Sequence, residues 1–326
     1  MATLSFHFRI PRLPASVGAF SRVWILAVAA LLAISWPHAA LADIVIVRSS
    51  DAAPYKDAET ALHDKLASRG EPIRSMLVKE LADGGIAGKF KPSDSVVAIG
   101  TPAARLLQAQ LPADIRLVYC MVNNPSDAGL LQGRASFGVT TDVAIGDQMK
   151  LMAEVLPHAH VLGMLYRSDT AAGKELVKQV GAALPPDWRL EAVAANDAPT
   201  IGAAIQTLTG KQVDAIWTSA DATLYDAASI RTLLLAGIRK KIPVWGFSPQ
   251  FVRAGALIGV GVEPRAQGAQ AAEILIKLVD DPASVKNRAE SPHEFQIALN
   301  LIVAQQIAVE VPDELCRRAA FVFRPE

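Results

Sequence analysis

The side chains best placed to do chemistry sit just past short apolar runs. Ser49-Ser50-Asp51 follows Ile44–Val47, Gly100-Thr101 follows Val96–Ile99, and Asn123-Asn124 follows Leu117–Val122. Farther along, Arg167-Ser168-Asp169 follows Val161–Tyr166, Ser219 and Asp221 follow Val213–Trp217, and Phe247-Ser248 ends the run that begins at Val244. Runs of this length bounded by turn residues read as buried strands. Ligands of open parallel sheets gather beyond the carboxyl ends of the strands. The groups there are mostly small hydrogen-bonding side chains, which suit the reversible capture of a small polar ligand. Ser49, Thr101 and Asn123 are the expected contacts from the first set of strands, and Tyr166, Ser219, Asp221 and Phe247 from the second. Tyr166, Trp217, Trp245 and Phe247 would supply an aromatic wall. Ser, Thr, Asn and Asp at such turns also cap helices, so each has a competing structural role.

A catalytic constellation is not visible. An enzyme site needs groups in paired roles, such as a nucleophile beside a base. The chain has no G-x-S-x-G elbow. His158 and His160 form an H-x-H pair without a Cys or third His nearby, so no metal site is expected where a structural zinc would want four ligands. Gly84-Gly85-Ile86-Ala87-Gly88-Lys89-Phe90 has the wrong glycine spacing for a phosphate loop, and Phe90 stands where a hydroxyl would hold magnesium. No cofactor and no enzymatic activity are expected.

The elements that would position these residues alternate regularly. Helical stretches are expected at Ala58–Ser68, Pro102–Gln110, Asp147–Leu156, Ala171–Leu184, Thr200–Leu208, Ala227–Arg239 and Arg265–Val279. Strands fall between them, with Leu190–Ala194 added to those above. Repeated βαβ units imply an α/β fold with parallel sheets covered by helices. Two stretches share a strand–turn–helix design, one from Val97 and one from Asp214, which suggests two similar facing lobes. Extended pieces at Phe137–Asp142, Gly259–Val262 and Phe295–Leu299 would form the crossings between them.

Composition narrows the classes further. The chain of 326 residues carries 32 basic and 32 acidic side chains, so it lacks the basic excess that nucleic-acid binding calls for. Arg9, Arg12 and Arg22 precede the apolar run Val23–Ile34, and Ala40-Leu41-Ala42 ends in a small-x-small site before Asp43. That order is a secretory signal, with cleavage expected after Ala42. The apolar run falls short of the roughly 20 residues a membrane span needs. A soluble periplasmic protein is expected. Cys120 and Cys316 are the only cysteines, and both are expected as free thiols because unpaired Cys is a frequently buried residue.

Val97-Ala98-Ile99-Gly100-Thr101-Pro102-Ala103-Ala104, Asn124-Pro125 with Ala128-Gly129-Leu130, and Phe137-Gly138-Val139-Thr140 occur in that order. Met149–Leu156 with Pro157, Val213-Asp214-Ala215-Ile216, Asp221, Lys241-Ile242-Pro243-Val244, Gly268, Ala271-Ala272, Asn300, Ala304 and Val311-Pro312-Asp313-Glu314-Leu315 continue the series. The ordered set resembles the ABC transporter substrate-binding family whose better-known members bind aromatic amino acids such as tryptophan. The resemblance implies a two-lobe, type I periplasmic-binding architecture with a three-strand hinge. It implies lobes at 43–137 with 262–294 and at 138–261 with 295–326, after a signal peptide at 1–42. It also implies a small-molecule ligand, an ABC permease in the inner membrane as partner, and a monomer. A sensor role, with the closed form presented to a signalling receptor, is the alternative. The sequence departs from the amino-acid-binding pattern at Arg48–Tyr55, at Asn124 and at Ala172-Gly173.

Overall fold

The computed structural model describes residues 43–325 except Ala222. The expected signal segment, 1–42, lies outside the described residues. Beginning at Asp43, the chain builds a first sheet from β1 (Ile44–Arg48), β2 (Ile73–Leu77), β3 (Ser95–Ile99), β4 (Arg116–Val122) and β5 (Phe137–Thr140). The strands are all parallel, in the order β2-β1-β3-β4-β5. The helices α1 (Ala53–Leu66), α2 (Val78–Gly84) and α3 (Thr101–Gln110) connect them. β1 and β3 are buried nearly end to end, as strands covered on both faces must be.

β6 (Val161–Tyr166), β7 (Arg189–Ala194), β8 (Ala215–Trp217), β9 (Val244–Gly246), β10 (Ile258–Val262), β11 (Phe295–Asn300) and β12 (Phe321–Phe323) form a second sheet in the order β12-β11-β10-β9-β8-β6-β7. Among the described residues only its β10–β11 pair is antiparallel. Its connections carry α4 (Ile145–Val155), α5 (Ala171–Ala183), α6 (Ile201–Gly210), α7 (Ala227–Lys240) and α8 (Pro249–Ala254). A long helix, α9 (Pro264–Asp280), then returns to the first sheet, and α10 (Leu301–Ile307) and α11 (Asp313–Arg318) close the second. Among the described residues no helix is long and apolar enough to cross a membrane.

The chain passes between the sheets three times: after β5, between β10 and α9, and between α9 and β11. The boundary expected at residue 137 falls inside β5, because Phe137 and Gly138 pair with Val118 and Tyr119 of β4; the passage follows Thr140. Two buried glutamines of α9 fix these crossings. The Gln267 amide donates to the Thr140 carbonyl and its oxygen accepts from the Met121 N–H, at 2.9 and 3.0 Å. Gln270 donates to the Ser291 carbonyl and accepts from the His293 N–H. The stretch around Glu290 bridges to β5 at Val139. Helix α9 reaches the first sheet by packing on α1 through small residues. Ala58, Ala61, Ala271 and Ala272 are all buried, and a β-carbon on Gly268 would lie 1.9 Å from the Ala58 carbonyl oxygen.

Several differences from the sequence expectations have local causes. α1 starts at Ala53 rather than Ala58, since Pro54 fits the first turn of a helix. β2 and α2 were not expected. Arg74 and Ser75 interrupt the apolar pattern of β2, and the strand is tolerated at the sheet edge, where Arg74 pairs with the buried Asp94. α8 is a single short turn announced by Ser248-Pro249, with the Ser248 hydroxyl accepting from the Phe251 N–H.

Cys120 and Cys316 are both free. Cys120 is buried in the first sheet's core, and burial pushes its thiol up to about 12. Cys316 packs at the edge of the second sheet's core. In native protein, iodoacetamide should label Cys316 well before Cys120, because the thiolate is the reacting form. Both should label in denaturant. Early labelling of Cys120, read by mass spectrometry, would contradict this placement.

Candidate functional site

The carboxyl ends of the two sheets face a common cleft. Two cavities meet there, of 750 and 910 Å³, and share Thr141, Asp142, Ala220 and Phe247. The first sheet contributes Asn123 and Asn124, the second Trp217, Thr218, Ser219 and Phe247, and the crossings contribute Asp142, Gly261, Val262 and Ser291. A further cavity of 1020 Å³ lies at the opposite, amino-terminal ends of β6, β8 and β9, around His158 and Asp214. Open α/β sheets bind ligands beyond the carboxyl ends, which favours the cleft.

Of the seven residues expected from sequence, the structure brings three to the cleft walls: Asn123, Ser219 and Phe247. The Ser219 hydroxyl is buried and has no hydrogen-bond partner among the described residues. Phe247 packs on Tyr225 and Phe251, with ring centroids 6.2 and 4.9 Å away. The other four line neither cavity. The Ser49 hydroxyl accepts from the Ala103 N–H at 3.0 Å and so serves the start of α3. Thr101 is the first residue of that helix. It follows Gly100, whose φ of +97° and contacts with Ser49 and Tyr55 leave no space for a side chain. Tyr166 packs half-buried against the second sheet's core. The Asp221 carboxylate accepts from the Thr223 N–H at 2.8 Å and its hydroxyl at 2.6 Å. Asp221 does not cap α7; Asp226 does, accepting from the Ser229 N–H. Trp245 is fully buried rather than part of the wall.

The floor beneath the cleft is set by Gln148 of α4. Its carbonyl oxygen accepts from both the Trp217 and Trp245 indoles, at 2.9 and 3.0 Å, and its amide donates to the Val143 carbonyl at 2.7 Å. The polar ends of these three side chains therefore all find a partner. Trp217 is also among the residues that line the cavity.

Asp142 was not among the expected contacts. It lies at the first crossing, where sequence suggested only a linker. Its backbone N–H donates to the Thr140 hydroxyl, and one carboxylate oxygen accepts from the Asn124 N–H at 3.3 Å. The side chain is open to solvent within the cleft, yet protein surrounds it on both sides. That desolvation raises its carboxyl above the ordinary value of 3.8, and the Asn124 N–H opposes the rise only in part. An acid whose folded pKa is raised binds its proton more readily in the native state. Its ionisation therefore costs stability as pH rises through that window. Asp142→Asn should leave the ligand-free protein at least as stable as the parent at pH 7, with any advantage gone below pH 3.8. Melting curves at the two pH values check this; a clear loss of stability at pH 7 would contradict it.

Among the described residues no group of three or more His, Cys, Asp or Glu side chains is gathered for a metal ion. The His160 imidazole lies 3.2 Å from the Asp187 carboxylate, outside the cleft.

Comparison with curated proteins gives no significant match. Solved structures share the fold. The ABC domain in complex with L-Trp from Streptococcus pneumonia aligns with a TM-score of 0.54 at 21% identity, over 86% of this chain and 100% of that one. The ligand-free, open structure of CD0873, a substrate binding protein with adhesive properties from Clostridium difficile, aligns with a TM-score of 0.64 at 18% identity, over 87% and 100%. The XylFII-LytSN complex aligns with a TM-score of 0.55 at 11% identity, over 79% and 97%. The sequence model described as ABC transporter substrate binding protein matches residues 83–323, most of the two sheets and all three crossings. The chain belongs to the ABC transporter substrate-binding protein family.

Proposed function

We propose that this protein captures a small polar solute between two lobes and delivers it to an ABC permease in the inner membrane. The observation that carries the reading is the cleft: it lies at the carboxyl ends of both sheets, and side chains from both line it. A ligand that touches both walls binds a closed arrangement better than an open one, and so shifts the population toward closure. The three crossings, tied by Gln267 and Gln270, are the hinge in this reading. The lobes are then 43–140 with 262–294 and 141–261 with 295–326, which keeps β5 whole in the first of them. Export to the periplasm after cleavage at Ala42, and action as a monomer, belong to the same proposal.

The test is a thermal-shift screen of the protein from Asp43 onward against amino acids, sugars, nucleosides and small organic ions. A ligand at ~100 times its Kd stabilises the native state by about 2.7 kcal/mol. Small-angle scattering with the hit should show a smaller radius of gyration. Phe247→Ala and Ser219→Ala should weaken binding. A hit that neither compacts the protein nor responds to these substitutions would rule out the cleft.

A further inference from the structure

The amino-terminal end of the first sheet, on the side away from the cleft, holds a buried carboxylate. Asp94 closes the turn before β3 and is fully buried. Its Oδ2 accepts from the Lys91 N–H at 2.9 Å and from the Arg74 guanidinium at 3.3 Å. Its Oδ1 has one donor among the described residues, the backbone N–H of Asp43, at 3.3 Å. That is long for an N–H···O bond, whose usual length is about 2.9–3.0 Å. Arg74 is partly exposed and divides itself between Asp94 and the Asp43 carboxylate, which lies 3.6 Å from its Nε. The Lys91 ammonium turns to Asp43 as well, 3.5 Å from its carboxylate. The Asp43 nitrogen is itself fixed in place. The Asp43 carbonyl accepts from the Ser95 N–H at 3.0 Å, and Ile44 pairs with Ile73 on one side and Ser95 on the other.

We propose that hydrolysis of the Ala42–Asp43 bond completes this cluster, the new Asp43 ammonium becoming the counter-ion of Asp94, so that the mature chain is held more tightly than one with residues still attached ahead of Asp43. This rests on the export reading above, with cleavage after Ala42. In the hydrolysis the C–N bond breaks, the water oxygen leaves with Ala42 as a carboxylate, and both water protons stay on the Asp43 nitrogen. The nitrogen that faced Oδ1 as a neutral donor then faces it with a full charge. A charge-assisted hydrogen bond is roughly twice as strong as a neutral one. Attraction between charges is also stronger out of water than in it. A buried ion pair repays its desolvation only when further hydrogen bonds serve the remaining lone pairs, and the Lys91 N–H and Arg74 already do so. Asp43 is only half-buried, so the ammonium keeps part of its hydration.

Two forms released from a fusion with defined ends are compared, one beginning at Asp43 and one keeping Ala40-Leu41-Ala42 ahead of it. The charged groups facing the nitrogen are Asp94, Arg74, Lys91 and the Asp43 carboxylate. All are common to both forms, so the difference isolates the ammonium. Asp94 should raise the pKa of that ammonium above its unfolded value of about 8. Its stabilisation is then complete below the unfolded value and lost as pH rises through the folded one. In urea at neutral pH the form beginning at Asp43 should have an unfolding constant about tenfold smaller, and the gap should close near pH 10.5. Trace acetylation across pH, read by mass on the amino-terminal peptide, should place the α-amino group about one unit above its ordinary value. Equal stability of the two forms at neutral pH, a gap unchanged in alkali, or an ordinary α-amino pKa would each overturn the proposal. Asp94→Asn in both forms should remove the gap, and a gap of parental size there would also overturn it. The parental comparison and the titration decide even where Asp94→Asn does not fold. The first residue of exported protein tests the cleavage reading separately: a start other than Asp43 defeats that reading, whereas equal stability of the two defined forms defeats the ion pair alone.

Discussion

Gly268→Ala should be among the most damaging single-methyl substitutions in this protein. The new β-carbon would sit 1.9 Å from the Ala58 carbonyl oxygen and 2.7 Å from its carbon, which are backbone atoms with no rotamer to escape through. Alanine gains up to about 1 kcal/mol over glycine in a helix. Pushing α9 off α1 costs more: overpacking alone is worth ~1–3 kcal/mol, and the buried contacts around Ala58, Leu62, Ala271 and Leu275 loosen with it. The net expectation is a loss of ~3 kcal/mol or more, a large part of the 5–15 typical of a folded domain. Gly181→Ala in α5 is the control. Its nearest neighbour would be the Leu190 side chain at 3.9 Å, so the same methyl should stabilise slightly. Urea unfolding of both variants decides the matter. Equal midpoints would mean that the two helices do not approach as closely as described.

Gln148→Leu should be nearly as costly, for a different reason. It leaves two buried indole N–H groups without an acceptor and the Val143 carbonyl without its donor. Each orphaned buried group costs about 1–3 kcal/mol, and the apolar gain from Leu offsets only part. A net loss of ~3 kcal/mol is expected, together with a change in tryptophan emission. Trp245→Phe removes one of the stranded donors in advance. The double variant should therefore lose less than the two single losses added together. Strict additivity would show that Gln148 does not serve both rings.

Elements with a strong buried core were readable from sequence. β6 runs from Val161 to Tyr166 as the apolar run does, and α5 begins at Ala171 after the Thr170 cap. β2 was not readable, because an edge strand need not be apolar and its Arg74 is matched by an acid far away in the chain. The site was legible as a set of positions rather than as a set of roles. The turns carrying Ser49, Ser219, Asp221 and Phe247 all lie at strand ends. Only their neighbours decide that Ser49 serves Ala103 and Asp221 serves Thr223, while Ser219 stays unpartnered. Asp142 reads as linker because only the meeting of the two sheets places it on the wall of the cleft. Gln148 looked like one more polar residue in a helix, and nothing local marks it as the common acceptor of two tryptophans.

The return of α9 to the first sheet also sets a timetable. Ala271, Ala272, Ile274, Leu275 and Leu278 cover the same core face as Ile44, Ile46, Val97 and Val118. When β5 has been synthesised, that face is covered only in part, by Ala58, Leu62 and Leu66 of α1, and it stays so until the second sheet's strands through β10 have followed. The second sheet waits in turn for β11 and β12, which come after α9. Neither half can close on its own residues, so an amino-terminal fragment ending at Thr140 should be unable to hold a stable fold. Contacts between parts so far apart in the chain form slowly. A nascent chain of this design therefore stays extendable until almost its last residues are made, and any machinery that must thread it unfolded has that whole interval in which to act.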